Sequence, residues 1–275
     1  SLDILFYRLF FCVPIMVAIT LLFRRHTIAE TLNVVRAMNK PERTQLLGLT
    51  LGSALLLIAN WFLFIFVMNH ISVNAASFAY LVCPILTTVL AFFILHEKLT
   101  SLQWLAVGLS ALGCGLLSYN NFMSIFYSLP VALSYALYMI MQKKIVGIDK
   151  FFLLNVQLII IAIVVLPFYP EFSGPIPAEA TFYVYIGIIA VVFTIIPLFL
   201  NLYALKGINS SSVGMLLYIN PLIGFMLSIF YFHEQITLYQ VMAYAVILVA
   251  IILFNMKNMP QITKPEGTRK SRISY

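Results

Sequence analysis

Charge is what this chain has least of: only 9% of its 275 residues are Asp, Glu, Lys or Arg. A soluble domain carries about 25% charged residues and about half apolar ones. Here 63% of the chain is hydrophobic and the mean hydropathy is +1.02. So few polar groups cannot cover a water-soluble fold, which leaves lipid as the solvent. Cysteine is scarce too. Cys12, Cys83 and Cys114 are odd in number, lie inside apolar runs and form no C-x-x-C or Cys/His spacing. That excludes a disulfide framework and a zinc site and leaves them as small buried hydrophobes. The chain also lacks a nucleophile–base pair, a phosphate loop and any cluster of carboxylates within an apolar run. An ATP-driven pump and a membrane-embedded enzyme therefore find no support, no metal or cofactor is expected, and a proton-coupled process has no obvious carrier. The net charge of +7 raises the question of nucleic acid. Nearly all Lys and Arg fall in short gaps between apolar runs or after Met256, so membrane topology explains them and nucleic-acid binding is not expected.

What is present is long apolar runs. A hydrocarbon core about 30 Å thick needs roughly 20 residues of helix, and nine stretches qualify: 4–23, 46–68, 75–95, 102–119, 122–142, 151–169, 182–205, 212–232 and 238–256. The gaps after the first, third, fifth and seventh carry the basic residues, among them Arg24, Arg25, Lys98, Lys143, Lys144, Lys150 and Lys206. The gaps after the second, fourth, sixth and eighth carry none. Basic loops face the cytoplasm, so the C-terminus is expected to be cytoplasmic and Ser1 external. Among the basic residues only Arg8 falls outside the pattern.

The chain resembles itself at an offset of 137. Residues 69–116 align without a gap on 206–253, pairing Pro84 with Pro221, His96-Glu97 with His233-Glu234, Thr100 with Thr237, Gln103 with Gln240 and Ala106 with Ala243. Apolar composition alone does not produce a shared His-Glu-x-x-Thr-x-x-Gln frame. The offset pairs helices two, three and four with seven, eight and nine, and loosely one with six, leaving the fifth without a mate. The expected fold is an all-α integral membrane protein with nine transmembrane helices here and ten in the intact protein, arranged as two inverted five-helix repeats. Residues 1–121 then hold the first repeat without its first helix, 122–256 the second, and 257–275 a basic cytoplasmic tail. An odd number of helices per repeat forces opposite orientations. Inverted repeats mark many transporters, with solute bound near the midplane between the halves. The expectation is a secondary transporter; a polytopic receptor or binding protein without transport is the alternative.

Several side chains stand out. The repeated His-Glu is not a zinc motif, which needs a second His one turn on; Thr100 and Thr237 hold that position. Thr100 with Gln103 and Thr237 with Gln240 match capping boxes, placing Glu97 and Glu234 at helix ends in the headgroup zone. Pro84 and Pro221 lie mid-span, where proline frees a carbonyl and bends a helix, so matched kinks are expected beside the path, with Tyr80 and Tyr218 on the same faces. Polar groups deep in a span are costly unless paired or facing water, which singles out Asn60, Asn155, Gln157, Asn201 and Asn220. Trp61, Tyr135, Tyr138 and Tyr203 are stacking candidates. Asn220, beside the kink, is the favoured ligand contact. Arg8 either snorkels outward or holds an anionic group. Gly48-x-x-x-Gly52 allows close helix packing.

These residues also carry a family resemblance. Asn60-Trp61, Val67-Met68-Asn69-His70, Ala76-Ser77-Phe78-Ala79-Tyr80, Pro84 and Leu95-His96-Glu97-Lys98-Leu99 resemble the first half of EamA-type drug/metabolite transporters. Ile196-Pro197-Leu198, Gly214, Tyr218-Ile219-Asn220-Pro221 and His233-Glu234 resemble the RarD-like permease branch. Leu5-Phe6-Tyr7-Arg8 resembles the start of that branch's second helix, with Tyr7 where His is usual. The resemblance covers all but the basic tail. It implies a ten-helix permease of the bacterial inner membrane that moves a small metabolite, amino acid or drug, in the export direction. The partners it implies are the lipid bilayer and a small-molecule substrate, with a homodimer left open.

Overall fold

The computed structural model describes residues 2–118, 122–172, 174, 177–231, 233 and 237–256, and every regular element among them is helical. In chain order these are α1 (Leu2–Phe23), α2 (Arg25–Ala37), α3 (Lys40–His70), α4 (Val73–Leu95), α5 (Ser101–Leu117), α6 (Phe122–Lys144), α7 (Lys150–Val165), α8 (Tyr169–Phe172), α9 (Ala180–Ala190), α10 (Ile196–Gly207), α11 (Ser210–Leu216), α12 (Ile219–Phe230) and α13 (Leu238–Asn255). A 3-10 turn at Leu166–Phe168 carries α7 into α8, a π-helical segment at Val191–Ile195 joins α9 to α10, and a turn at Leu217 and Tyr218 joins α11 to α12. Among the described residues this makes nine crossings: eight spans long and apolar enough to traverse a bilayer, and the shorter Ser101–Leu117.

Residues 24–43, read from the sequence as a connection, instead form α2 and the first turn of α3. α2 turns Thr27 and Thr31 inward and leaves most of its charged side chains outside. Its neighbour α3 starts on a full capping box: Asn39 Oδ1 accepts from Glu42 N at 3.0 Å and Glu42 Oε2 accepts from Asn39 N at 3.2 Å, with Pro41 in the first turn. The basic connections gather at one end of the bundle, where Arg24, Lys143, Lys150 and Lys206 line one cleft. Two of these cations cap helix ends, where carbonyls lack partners. Lys143 Nζ donates to the Leu205 and Ile208 carbonyls, both at 2.8 Å, and Lys150 Nζ to those of Gln142 and Ile145 at 3.2 and 2.7 Å.

The sequence repeat is visible in the backbone. Among the described residues the two non-glycine positions with positive φ are His96 (53°) and His233 (50°), 137 residues apart. Each follows a membrane-crossing segment, and those segments run in opposite directions. Four residues on, both capping boxes form. Gln103 N donates to Thr100 Oγ1 and Gln240 N to Thr237 Oγ1, each at 3.4 Å, while the glutamine Oε1 atoms accept from Thr100 N at 2.9 Å and Thr237 N at 3.0 Å.

The helices these boxes start, α5 and α13, pack against each other along small residues. Ala106, Ala243 and Ala250 are fully buried. A Cβ added at Gly113 would lie 2.6 Å from Ile247 Cγ1 and 3.2 Å from the Ala243 carbonyl oxygen. Small residues let helix backbones approach where lipid supplies no hydrophobic drive. The Gly48-x-x-x-Gly52 pair does less: a Cβ added at Gly52 would lie 3.1 Å from Met141 Sδ, but among the described residues nothing lies within 4 Å of one at Gly48.

The two prolines behave differently. α4 stays helical through Pro84, whose carbonyl accepts from Thr88 Oγ1 at 2.9 Å, and it packs against α6 and α11. In the second repeat the helix breaks just before Pro221. Proline cannot donate to the Leu217 carbonyl, and Asn220 N bonds it instead at 3.2 Å in a tighter turn. At these matched prolines the helix is continuous in the first repeat and interrupted in the second.

Candidate functional site

A cavity of about 640 Å³ opens between the two repeats at mid-bundle, within the range of small-molecule sites. From the first repeat come Arg8 on α1, Asn60 and Trp61 on α3, and Tyr80 and Cys83 on α4. From the second come Tyr135 on α6, Thr194 and Pro197 at the π-helical segment, Asn201 on α10, and Leu217 and Asn220 at the break between α11 and α12.

Several of the polar groups are held by identifiable contacts. Asn60 Nδ2 donates to the Val131 carbonyl at 2.8 Å and to Ser134 Oγ at 3.3 Å, tying α3 to α6. Asn201 Nδ2 donates to Tyr135 Oη at 2.7 Å, leaving the buried Asn201 Oδ1 without a donor. Thr194 Oγ1 donates to the Ile189 carbonyl at 2.9 Å. That bond satisfies backbone opened by the π-helical segment, a distortion found often at functional sites. The guanidinium of Arg8 lies over Trp61, with Cζ 4.2 Å from the ring centroid, and Tyr80 packs edge-on against Phe64.

Of the residues singled out from the sequence, Arg8, Asn60, Trp61, Tyr80, Asn201 and Asn220 thus meet on this cavity. Pro84 and Pro221 stand one residue behind its lining at Cys83 and Asn220. Tyr138 and Tyr218 are not part of it; at 1% and 0% exposed they are core. Tyr203 is 62% exposed on the outer surface of the bundle. Asn155 and Gln157 are engaged in helix packing. Gln142 Nε2 donates to Gln157 Oε1 and Gln157 Nε2 to Ser53 Oγ, each at 2.8 Å, a chain linking α6, α7 and α3, while Asn155 Nδ2 donates to Thr20 Oγ1 at 3.0 Å. Tyr7 belongs to an aromatic cluster at the end of the bundle opposite the basic loops, its hydroxyl 3.1 Å from that of Tyr169. Tyr135, a stacking candidate from the sequence, also lines the cavity, and the π-helical segment at Thr194, to which no motif in the sequence pointed, completes it.

Toward the basic end two contacts join the repeats. Glu97, expected in the headgroup zone, caps the first turn of α11: its Oε1 accepts from Ser210 N at 2.7 Å, and its Oε2 accepts from Ser211 N at 3.1 Å and Ser211 Oγ at 2.5 Å. Asn209, the residue before that helix, makes no side-chain cap of its own. One turn deeper α4 and α11 cross closely, with Thr87 Cγ2 only 2.9 Å from a Cβ placed at Gly214. The repeat relates Thr87 to Gly224, and among the described residues nothing lies within 4 Å of a Cβ at Gly224. The crossing is tight at one end only. Glu234, the mate of Glu97, lies outside the described residues, as does the basic tail.

The comparisons with known proteins agree with this architecture. A family model described as the EamA-like transporter family matches residues 1–119 and again 122–256. The chain is 29% identical over 257 residues to the uncharacterized transporter YojE of Bacillus subtilis, covering 92% of this chain and 84% of that protein. It is 28% identical over 266 residues to the protein RarD of Escherichia coli, again covering 92% and 84%. A solved crystal structure superposes with a TM-score of 0.65 at 13% identity, over 94% of this chain and 88% of the other, so this fold has been seen by experiment. With the model matching both repeats end to end, the chain belongs to the EamA-like transporter family.

Proposed function

We propose that this protein is a secondary transporter of the bacterial inner membrane that moves a small, partly apolar solute by alternating access, in the export direction. The observation that carries this reading is the mid-bundle cavity lined by side chains from both repeats, more of them from the second than from the first. Such a site can be exposed to either face by rocking one repeat against the other. The clustering of Arg24, Lys143, Lys150 and Lys206 supports a cytoplasmic assignment for their end of the bundle. On that assignment Glu97 and the Thr87–Gly214 crossing hold the cytoplasmic side closed, and the open space at Gly224 belongs to an outward-facing state.

The test is flux. Protein reconstituted in liposomes loaded with a broad panel of metabolites is expected to deplete selected members relative to protein-free vesicles, read by mass spectrometry. A Gly214→Val variant, which overfills the α4–α11 crossing, is expected to lose that depletion. Ligand binding with no movement of any solute would replace transport with a receptor role. Uptake into cells with no efflux from inverted vesicles would reverse the direction.

A further inference from the structure

We propose that the cavity takes a solute carrying one carboxylate, or an equally compact monoanionic acid group, on an apolar body, and that Arg8 is the residue that binds the acid. This rests on the cavity being the solute site of the proposed transporter. Arg8 follows the start of α1 by six residues, about 9 Å along the helix axis, inside an apolar span. It is the one charged residue among the described residues lining the cavity. The ion pair found among the described residues is Arg24–Asp149, at the far end of the bundle. Arg8 Nε is buried without an acceptor. Trp61 holds the face of the guanidinium at 4.2 Å, but a ring cannot accept from the N–H groups on its edge.

A desolvated cation without an anion is costly, and such residues in membrane proteins mark substrate or ion pathways. A snorkelling arginine would carry its head to the interface and leave it hydrated; this one is stacked on a tryptophan in the wall of the cavity. The guanidinium edge presents donors in a planar fork that matches a carboxylate in two parallel hydrogen bonds. One cation neutralises one charge, so a dianionic phosphate would bring an uncompensated charge into an otherwise uncharged lining. The rest of the lining selects the body: Phe64, Tyr80, Tyr135 and Phe193 offer aromatic surface.

The test uses matched acid and amide pairs as probes, 3-phenylpropanoate against 3-phenylpropanamide and butyrate against butyramide. The chain has two tryptophans, so Trp104→Phe leaves Trp61, directly under Arg8, as the sole fluorescent reporter for titrations in detergent. Each acid is expected to bind about 10- to 100-fold more tightly than its amide, the range of a charge-assisted hydrogen-bond pair. Arg8→Gln is expected to bring the acid down to the affinity of the amide while the amide binds as before, which also reports that the variant is folded. Arg8→Lys should keep part of the preference. Equal affinity of acid and amide, no binding by either acid, or an acid preference that survives Arg8→Gln would overturn the assignment. Flux of the same four probes in liposomes separates the two readings. Arg8-dependent acid binding without flux would sink transport and leave the anion site, whereas flux indifferent to acid and amide would do the reverse.

Discussion

Removing the carboxylate of Glu97 should unlock the basic end of the bundle. Glu97 reaches across the boundary between repeats and accepts from Ser210 N, Ser211 N and Ser211 Oγ at 2.7, 3.1 and 2.5 Å. Those two amides belong to the first turn of α11 and have no intrahelical acceptor, and Asn209 does not cap them. Hydrogen bonds to a charged acceptor contribute roughly 1.5–3 kcal/mol when buried, and an anion at a helix N-terminus adds about 0.3–1 kcal/mol. Glu97 is half-buried, so solvent screens part of this, and freed serines regain water when the end opens. About 1–2 kcal/mol remains, a factor of roughly 5–30 in the closed-to-open ratio. The assay is modification of Val213→Cys, which replaces a side chain 5% exposed on the cavity wall one turn past the clamp. The background carries Cys12, Cys83 and Cys114 as Ala. A membrane-impermeant maleimide added to inverted vesicles should label this cysteine about 5- to 30-fold faster in Glu97→Ala than in the parent, and Glu97→Gln should fall between them. Labelling that changes less than twofold in Glu97→Ala would refute the clamp, since three hydrogen bonds that shut a gate cannot be removed without consequence for the gate.

Other outcomes follow from the packing. Gly214→Val forces a branched side chain against Thr87, a β-branched neighbour with little freedom to move. Flux should drop about tenfold, and Thr87→Ala, which deletes the Cγ2 at 2.9 Å, should recover part of it; no recovery would mean the crossing is not the obstacle. Gln157→Leu strands Gln142 Nε2 in a fully buried position, while Ser53 Oγ keeps its bond to the Thr50 carbonyl, at about 1–3 kcal/mol. A clear loss of thermal stability in detergent should follow, and an unshifted melting curve would show that the chain of amides carries no weight. Thr100→Ala and Thr237→Ala should each cost about 1 kcal/mol through a lost cap, with near-additive effects in the double variant; strong coupling between these distant caps would contradict their independence.

Much of this architecture was legible because membrane folding leaves few choices. Apolar runs of about 20 residues, separated by gaps that alternate between basic and uncharged, admit little but a stack of antiparallel helices. The shared His-Glu-x-x-Thr-x-x-Gln frame located the repeat, and the backbone repeats the frame in its two left-handed histidines and its two capping boxes. Asn60, Asn201 and Asn220 were found on the cavity because a polar atom deep in a span must be paired or wetted. The same rule drew in Asn155 and Gln157, which are paired instead; sequence registers polarity but not who stands opposite. α2 was missed because an amphipathic surface helix has no long apolar run, although Asn39-Lys40-Pro41-Glu42 announced the helix that follows it. The role of Glu97 could not be read at all. It depends on Ser210, 113 residues away, and no local pattern records a contact across two repeats.

The seam between α5 and α13 has a mechanical consequence. Where the Ala243 carbonyl lies 3.2 Å from the position of a Gly113 Cβ, the helices have no slack to slide apart, so the easy relative motion is a turn about their line of contact. Taking one helix diameter, about 10 Å, as the lever arm, a turn of roughly 20° displaces the far wall by about 3.5 Å. That exceeds the working range of a hydrogen bond. In the proposed transport cycle the seam would serve as a fulcrum and Glu97 as a catch at the end of the lever. On that geometry a turn of this size would be enough to carry the catch out of reach of its serines.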